Sequence, residues 1–472
     1  FWLKPDWTSF HSFDPFMLCA AWGANRLDLL LFYSLFRHFF ALQLQARTRS
    51  ADYSCLPPEW VSIAPTVPVD VDTRAQTFKL IPDTGSPFLI IPSCDCDTCD
   101  SQAGCFNKKK AQFYSQESDA AYEIAYGSGT CTGAVGTDLV TLGNEQFVDN
   151  NGVFVVDNLN FTIPVDGFEG LLGLGVMETG SEGPTQFLEE SGIGQFSLCF
   201  SSVYGELSGG LELNSNYTEP DAEFIGSIGE NYWAFGFEGI SIGGASKSTA
   251  IFCKNDDEDS GMDTPCGTIL DSGTTLVLGP KDDIDELKGA MCEKWPRCKA
   301  IADESQESNK SVIFDQVLED CDSYLSDDDT SSEYDGLPDL HFHITGNGGT
   351  AKTLKLTPWA YVIYVTDMAN VLQARAQDGK AAKRYGVCQL MFGSINETTL
   401  ANGPVWVLGT PFFFEYTAVF EPEGNLVAFM ERECNACGST NSLRATSRSQ
   451  RPRLRESRGD PLPPRFKHIT RM

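Results

Sequence analysis

Two short motifs occur in the same order in each half of the chain, and this repetition narrows the folds open to it. An apolar run, Phe78-Lys-Leu-Ile, leads into Asp83-Thr-Gly-Ser, and Phe88-Leu-Ile-Ile follows. In the second half Thr268-Ile-Leu leads into Asp271-Ser-Gly-Thr, and Leu276-Val-Leu follows. Each half then carries an apolar element around a glycine, Leu171-Leu-Gly-Leu in the first and Val407-Leu-Gly-Thr in the second. Two copies of one ordered pair imply two lobes of related fold. A third Asp-Ser-Gly begins at Asp259, but it follows Asp-Asp-Glu rather than an apolar strand and reads as a surface loop.

The surrounding pattern is strand-like. Thr66-Val-Pro-Val-Asp-Val-Asp alternates apolar and polar residues, and Thr77 to Ile81 is a second run. Similar runs separated by turn residues continue to about Glu433, including Gly152 to Val156, Phe196 to Phe200 and Tyr232 to Phe237. Few segments have sustained helical periodicity; Asp283 to Trp295 is one short helix candidate and Met368 to Lys383 another. The expectation is a β protein with a first lobe over 57–224 and a second over 225–437. Residues 1–56 read as a leader, a signal segment or short prosegment. Within it Leu29 to Leu44 is either a signal-peptide core or a mistranslated stretch, and Arg37-His38 interrupt it. No stretch is expected to span a membrane. Residues 438–472 read as a disordered basic tail, with nine Arg or Lys between Arg444 and Arg471.

A strand ending in Asp-Ser/Thr-Gly sets a carboxylate at a tight turn, where glycine permits close backbone approach. The hydroxyls of Thr84 and Ser272 can bond across to the opposite turn. Face to face, two such turns bring two carboxylates together, and two charges that close do not both ionise easily. One member can then take a proton from water while the other donates one to a carbonyl. This chemistry needs no cofactor, metal or covalent nucleophile. Gly85, Ser86, Gly273 and Thr274 complete the two turns.

Net charge narrows the partners. At −31, the body of the protein is a poor match for nucleic acid or an anionic membrane. The chain has 16 Cys. Four N-glycosylation sequons begin at Asn160, Asn216, Asn309 and Asn396. Together these point to the secretory pathway, with the protein secreted or held in an acidic vacuole or lysosome-like compartment. Cys94, Cys96, Cys99 and Cys105 could form a zinc knot, but that setting favours disulfides. Setting Cys19 aside with the leader leaves 15, so at least one thiol is unpaired or intermolecular. His341 and His343 share a strand face without an evident third metal ligand. The acidic stretches from Asn255 and from Asp327 read as solvated loops.

From about 60 to 433 the sequence resembles the pepsin-like aspartic peptidases. Asp83-Thr-Gly-Ser and Asp271-Ser-Gly-Thr resemble the two catalytic turns of that family. Tyr122-Glu-Ile-Ala-Tyr-Gly-Ser-Gly-Thr resembles the flap hairpin, with Tyr126 as flap tyrosine and Gly127 and Ser128 at the turn. Gly167 to Gly175 and Trp406 to Phe413 resemble the elements beneath the catalytic loops. The resemblance implies an all-β, bilobal, monomeric endopeptidase, made as a zymogen, that binds an extended peptide or protein substrate in a central cleft. The split in pKa of the paired carboxyl groups is a property of that family, carried over with the resemblance. It also implies a disulfide between Cys321 and Cys388, with Cys266 pairing to Cys253.

Three positions depart from the family. The usual tryptophan after the first turn is Ile90, so the flap tyrosine needs different support. Pro82 precedes Asp83 and lacks a backbone donor. Thr410 stands where many relatives carry Asp, which by charge alone places the active window lower in pH. Two other classes are weighed against an enzyme. A binding or inhibitor protein on the same fold typically lacks one catalytic motif, and both are intact here. A Cys-rich adhesion protein requires the paired turns to be coincidental.

Overall fold

Alternation in Gln76–Asp83 builds the first lobe. Phe78 and Leu80 point inward and Thr77 and Lys79 outward, so one face of the strand is committed to the core. Its computed structural model describes residues 54–434, apart from 57–58, 62–63, 101–102, 119, 162–166, 177–183, 204–205, 219, 254–263, 306, 322–335, 367–385, 400–401 and 432–433. The leader before Ser54, the basic tail, both acidic stretches with Asp259, and the helix candidate Met368 to Lys383 lie outside the described residues.

In the first lobe Gln76–Asp83 pairs antiparallel with Ala64–Val71 and parallel with Leu171–Gly173. The latter also touches Leu89–Pro92, with Leu171 opposite Ile90. The second lobe repeats this arrangement. Cys266–Leu270 pairs antiparallel with Ala234–Ile242 and parallel with Gly403–Leu408, which in turn touches Val277–Gly279. The sequence echo is therefore an echo of strand order. The lobe sheets hold nine and eight strands.

A six-stranded sheet draws on both halves: Ser54–Leu56, Glu206–Leu213, Phe196–Val203, Thr417–Glu421, Leu426–Met430 and Phe224–Gly226. Ser54–Leu56, assigned above to the leader, is thus an edge strand of the folded body. At the sheet's centre Phe196 stacks on Phe420 at 4.7 Å, and Trp233 meets Phe420 edge-on at 5.2 Å. Phe196, Phe420 and Trp233 are fully buried, and rings of this size dominate core energetics.

Helix Lys281–Lys294 covers the Asp283 to Trp295 candidate; Asp282 and Asp283 in its first turn suit the helix dipole. Helices Pro296–Glu304 and Lys310–Glu319 were not expected. The second is capped by Asn309, whose side chain accepts from the Ser311 amide at 3.0 Å. Six disulfides lie among the described residues: Cys94–Cys105, Cys96–Cys99, Cys199–Cys434, Cys253–Cys266, Cys292–Cys298 and Cys321–Cys388. The four-cysteine loop is therefore disulfide-closed, and Cys131 is a free, buried thiol. Asn160, Asn216, Asn309 and Asn396 are all exposed. His343 is held in the core between the Ser241 and Thr353 hydroxyls. No helix among the described residues is long and apolar enough to cross a membrane.

Candidate active site

The two motif turns meet, and their hydroxyls interlock. The Thr84 amide donates to Ser272 Oγ at 3.0 Å, and the Ser272 amide donates to Thr84 Oγ1 at 2.9 Å. Each hydroxyl then donates onward to the backbone carbonyl ahead of the opposite aspartate. Thr84 Oγ1 donates to Leu270 O at 2.9 Å, and Ser272 Oγ donates to Pro82 O at 2.6 Å. Pro82 has no amide to offer, but this network asks only for its carbonyl. Thr84 and Ser272 are buried, so each of these bonds satisfies groups that water does not reach.

Each aspartate is held inside its own turn. Asp83 Oδ1 accepts from the Gly85 amide at 2.9 Å, and Oδ2 accepts from the Ser86 hydroxyl. Asp271 Oδ1 accepts from the amides of Gly273 at 2.8 Å and Thr274 at 3.2 Å, and Oδ2 from Thr274 Oγ1 at 2.6 Å. The glycines make the approach possible. A Cβ at Gly85 would lie 2.5 Å from Asp271 Cγ. One at Gly273 would lie 2.3 Å from Asp83 Oδ1 and 3.2 Å from Asp271 Oδ1. Any side chain there would push the carboxylates apart.

Parallel strands carry both turns. The Leu174 amide donates to Asp83 O at 2.7 Å, and the Asp271 amide donates to Leu408 O at 3.1 Å. Thr410 donates from its amide and its hydroxyl to Thr274 O, at 2.8 and 3.0 Å. Trp233 adds a link that the motif reading missed: its indole donates to Leu174 O at 2.8 Å, and its carbonyl accepts from the Leu270 amide at 2.9 Å. One tryptophan thus braces the supports of both turns.

Burial first, and then the charge of Asp271, push the Asp83 carboxyl well above the usual carboxylate range; the Ser86 and Gly85 bonds oppose the shift. Tyr126 ends the strand Tyr122–Tyr126, which forms a hairpin with Gly129–Leu142 through Gly127 and Ser128. Gly127 is exposed at the tip. The Tyr126 phenol is pushed strongly upward by burial, then by Cys131 and Asp83, with Ser86 acting against the shift. The hairpin therefore sets Tyr126 close to the Asp83 turn. Ile90, noted above in place of the usual tryptophan, is buried in the apolar cluster against which Tyr126 packs.

This site and fold define the class of protein: a two-lobed β hydrolase built around paired aspartates. A model of the eukaryotic aspartyl protease family matches residues 66–432. Among similar proteins, Pepsin A of Bos taurus is 26% identical over 374 residues, 76% of this chain and 82% of the bovine protein. Cathepsin D of Dictyostelium discoideum is 26% identical over 377 residues, 76% of this chain and 81% of that protein. Gastricsin of Cavia porcellus is 25% identical over 407 residues, 83% of this chain and 86% of that protein. The chain belongs to the eukaryotic aspartyl protease family, and it is an aspartic endopeptidase, a hydrolase acting on peptides and proteins.

Proposed function

We propose that Asp83 and Asp271 are the catalytic pair of this endopeptidase and share one proton between them. The ionised carboxylate takes a proton from an attacking water while the protonated carboxyl donates to the scissile carbonyl. Attack gives a tetrahedral diol, and return of a proton to the amide nitrogen releases the amine. The observation that carries the reading is the reciprocal Thr84–Ser272 exchange, which pins two buried-side turns so that both carboxylates crowd the same glycines. Thr84, Gly85, Ser86, Ser272, Gly273 and Thr274 hold the pair, and Tyr126, Gly127 and Ser128 form a flap over an extended substrate.

The substrate lies between a lobe over 57–224 and a lobe over 225–437, and the enzyme works as a monomer. Six disulfides and four exposed sequon asparagines support passage through the secretory pathway, with the sequons glycosylated. The test is digestion of denatured haemoglobin or casein across pH, with and without a transition-state peptide such as pepstatin. Acid-side digestion blocked by the inhibitor is expected. Digestion that ignores the inhibitor, or none at any pH, sinks the reading.

A further inference from the structure

We propose that Phe161 is the residue that positions Tyr126, the different support that Ile90 in place of tryptophan calls for. The inference rests on Tyr126 being the flap tyrosine. Tyr126 Oη is buried and has no hydrogen-bond partner among the described residues. The Ser86 hydroxyl lies near it but donates its proton to Asp83 Oδ2, so it does not fix the angle of the ring. What touches it is another ring. Tyr126 and Phe161 meet edge to face, with centroids 6.0 Å apart and planes at 82°.

The strand register explains how two rings on non-adjacent strands come into contact. Tyr126 pairs with Gly129, and Gly129 pairs with Phe161, so the three residues stand in one row across three strands. The middle residue has no side chain. The outer rings close over it, as aromatic side chains do over a glycine in a sheet. A Cβ at Gly129 would lie 2.1 Å from Asn160 O and 2.8 Å from Phe161 Cα, so this row tolerates no side chain at its centre.

The contact continues to a second anchor. Phe161 meets Phe168 edge to face at 6.0 Å and 71°. Phe168 is buried, and the Gly167 amide beside it donates to Asp100 Oδ2 at 2.9 Å. Three residues on, Leu171–Gly173 pairs with the strand that ends in Asp83, with Gly173 opposite Asp83. The row Tyr126–Phe161–Phe168 thus ties the flap to the element that carries the first aspartate. Phe161 acts through Tyr126: it fixes the angle at which the phenol faces the Asp83 turn.

The test is a kinetic double-mutant cycle with a short chromogenic peptide. Phe161→Leu is expected to lower kcat about two- to tenfold, the worth of an edge-to-face pair, with KM within about twofold. Phe161→Tyr, which keeps the ring, is expected to restore the parent rate. Phe161→Met keeps volume without a ring; it should match the leucine variant and replaces it if that variant does not fold. In a Tyr126→Ala background, Phe161→Leu should cost nothing further, because the residue it positions is gone. An equal loss in both backgrounds, or a raised KM with kcat intact, overturns the proposal. Full activity in Tyr126→Ala alone removes the flap reading itself, and the proposal with it.

Discussion

Thr84 and Ser272 donate to each other across the two lobes, amide to hydroxyl in both directions, at 3.0 and 2.9 Å. Each hydroxyl donates a hydrogen bond of its own to the carbonyl ahead of the opposite aspartate. Neither turn is complete alone. The stability of the pair and the placement of the carboxylates are therefore one property.

Thr84→Val keeps the shape and removes both bonds of the hydroxyl. It leaves the Ser272 amide and the Leu270 carbonyl short of a partner in a buried site. The expected loss is about 2–6 kcal/mol of unfolding free energy, from about 1–3 for each of the two unsatisfied groups. Urea titration, run on an Asp83→Asn background to prevent self-digestion, measures it. A midpoint within error of the parent would contradict the assigned role.

Stability should fall as pH rises from acid toward neutral. Asp138 and Asp149 face each other across the two longest strands of the first lobe, and both are wholly buried. Asp138 Oδ1 accepts from the Leu139 amide at 2.7 Å. Asp138 Oδ2 and both Asp149 oxygens have no partner among the described residues. Burial pushes Asp138 up to about 7 and Asp149 well above the carboxylate range; Asp72 acts on the first and Glu190 on the second in the same direction. The Tyr114 phenol is raised too, by burial first and then by Asp157 and Asp138. An unfolded aspartate titrates near 3.8, so between there and about 7 the fold holds a proton that the unfolded chain has released. Stability is full below the unfolded value and declines by about 1.4 kcal/mol per pH unit for each such proton. Asp149→Asn should flatten that slope in urea titrations at several pH values. An unchanged slope would exclude the pair as its source.

Thr410 touches the dyad through one residue: it donates to Thr274 O, and Thr274 donates to Asp271. Thr410→Asp adds a carboxyl group behind Asp271 and, once ionised, makes ionisation of the pair harder. The acid limb of kcat/KM against pH should move up by about one unit. A superimposable profile would deny position 410 any charge role.

Much of the candidate site could be read from the chain because its signals are local. Asp83 and Asp271 announce themselves by an apolar strand before and after a glycine turn, and Asp259 fails that context test. What was missed depends on pairing between distant residues. Asp138 faces Asp149 only because the register shifts between Gly136 and Asp138. Phe161 reads as the middle of a sequon until Gly129 brings it against Tyr126. Cys199 and Cys434 are 235 residues apart, and no spacing rule joins them. Lys310–Glu319 was legible and overlooked: Ile313, Phe314, Val317 and Leu318 form a helical stripe, but it follows a polar, acidic stretch.

The deciding measurement is kcat/KM of purified, folded Asp83→Asn and Asp271→Asn against the parent at acid pH. Removing either carboxyl ends proton sharing, so each variant should lose at least about a thousandfold, and the double variant little more. If either single variant cleaves as well as the parent, Asp83 and Asp271 are not the catalytic pair.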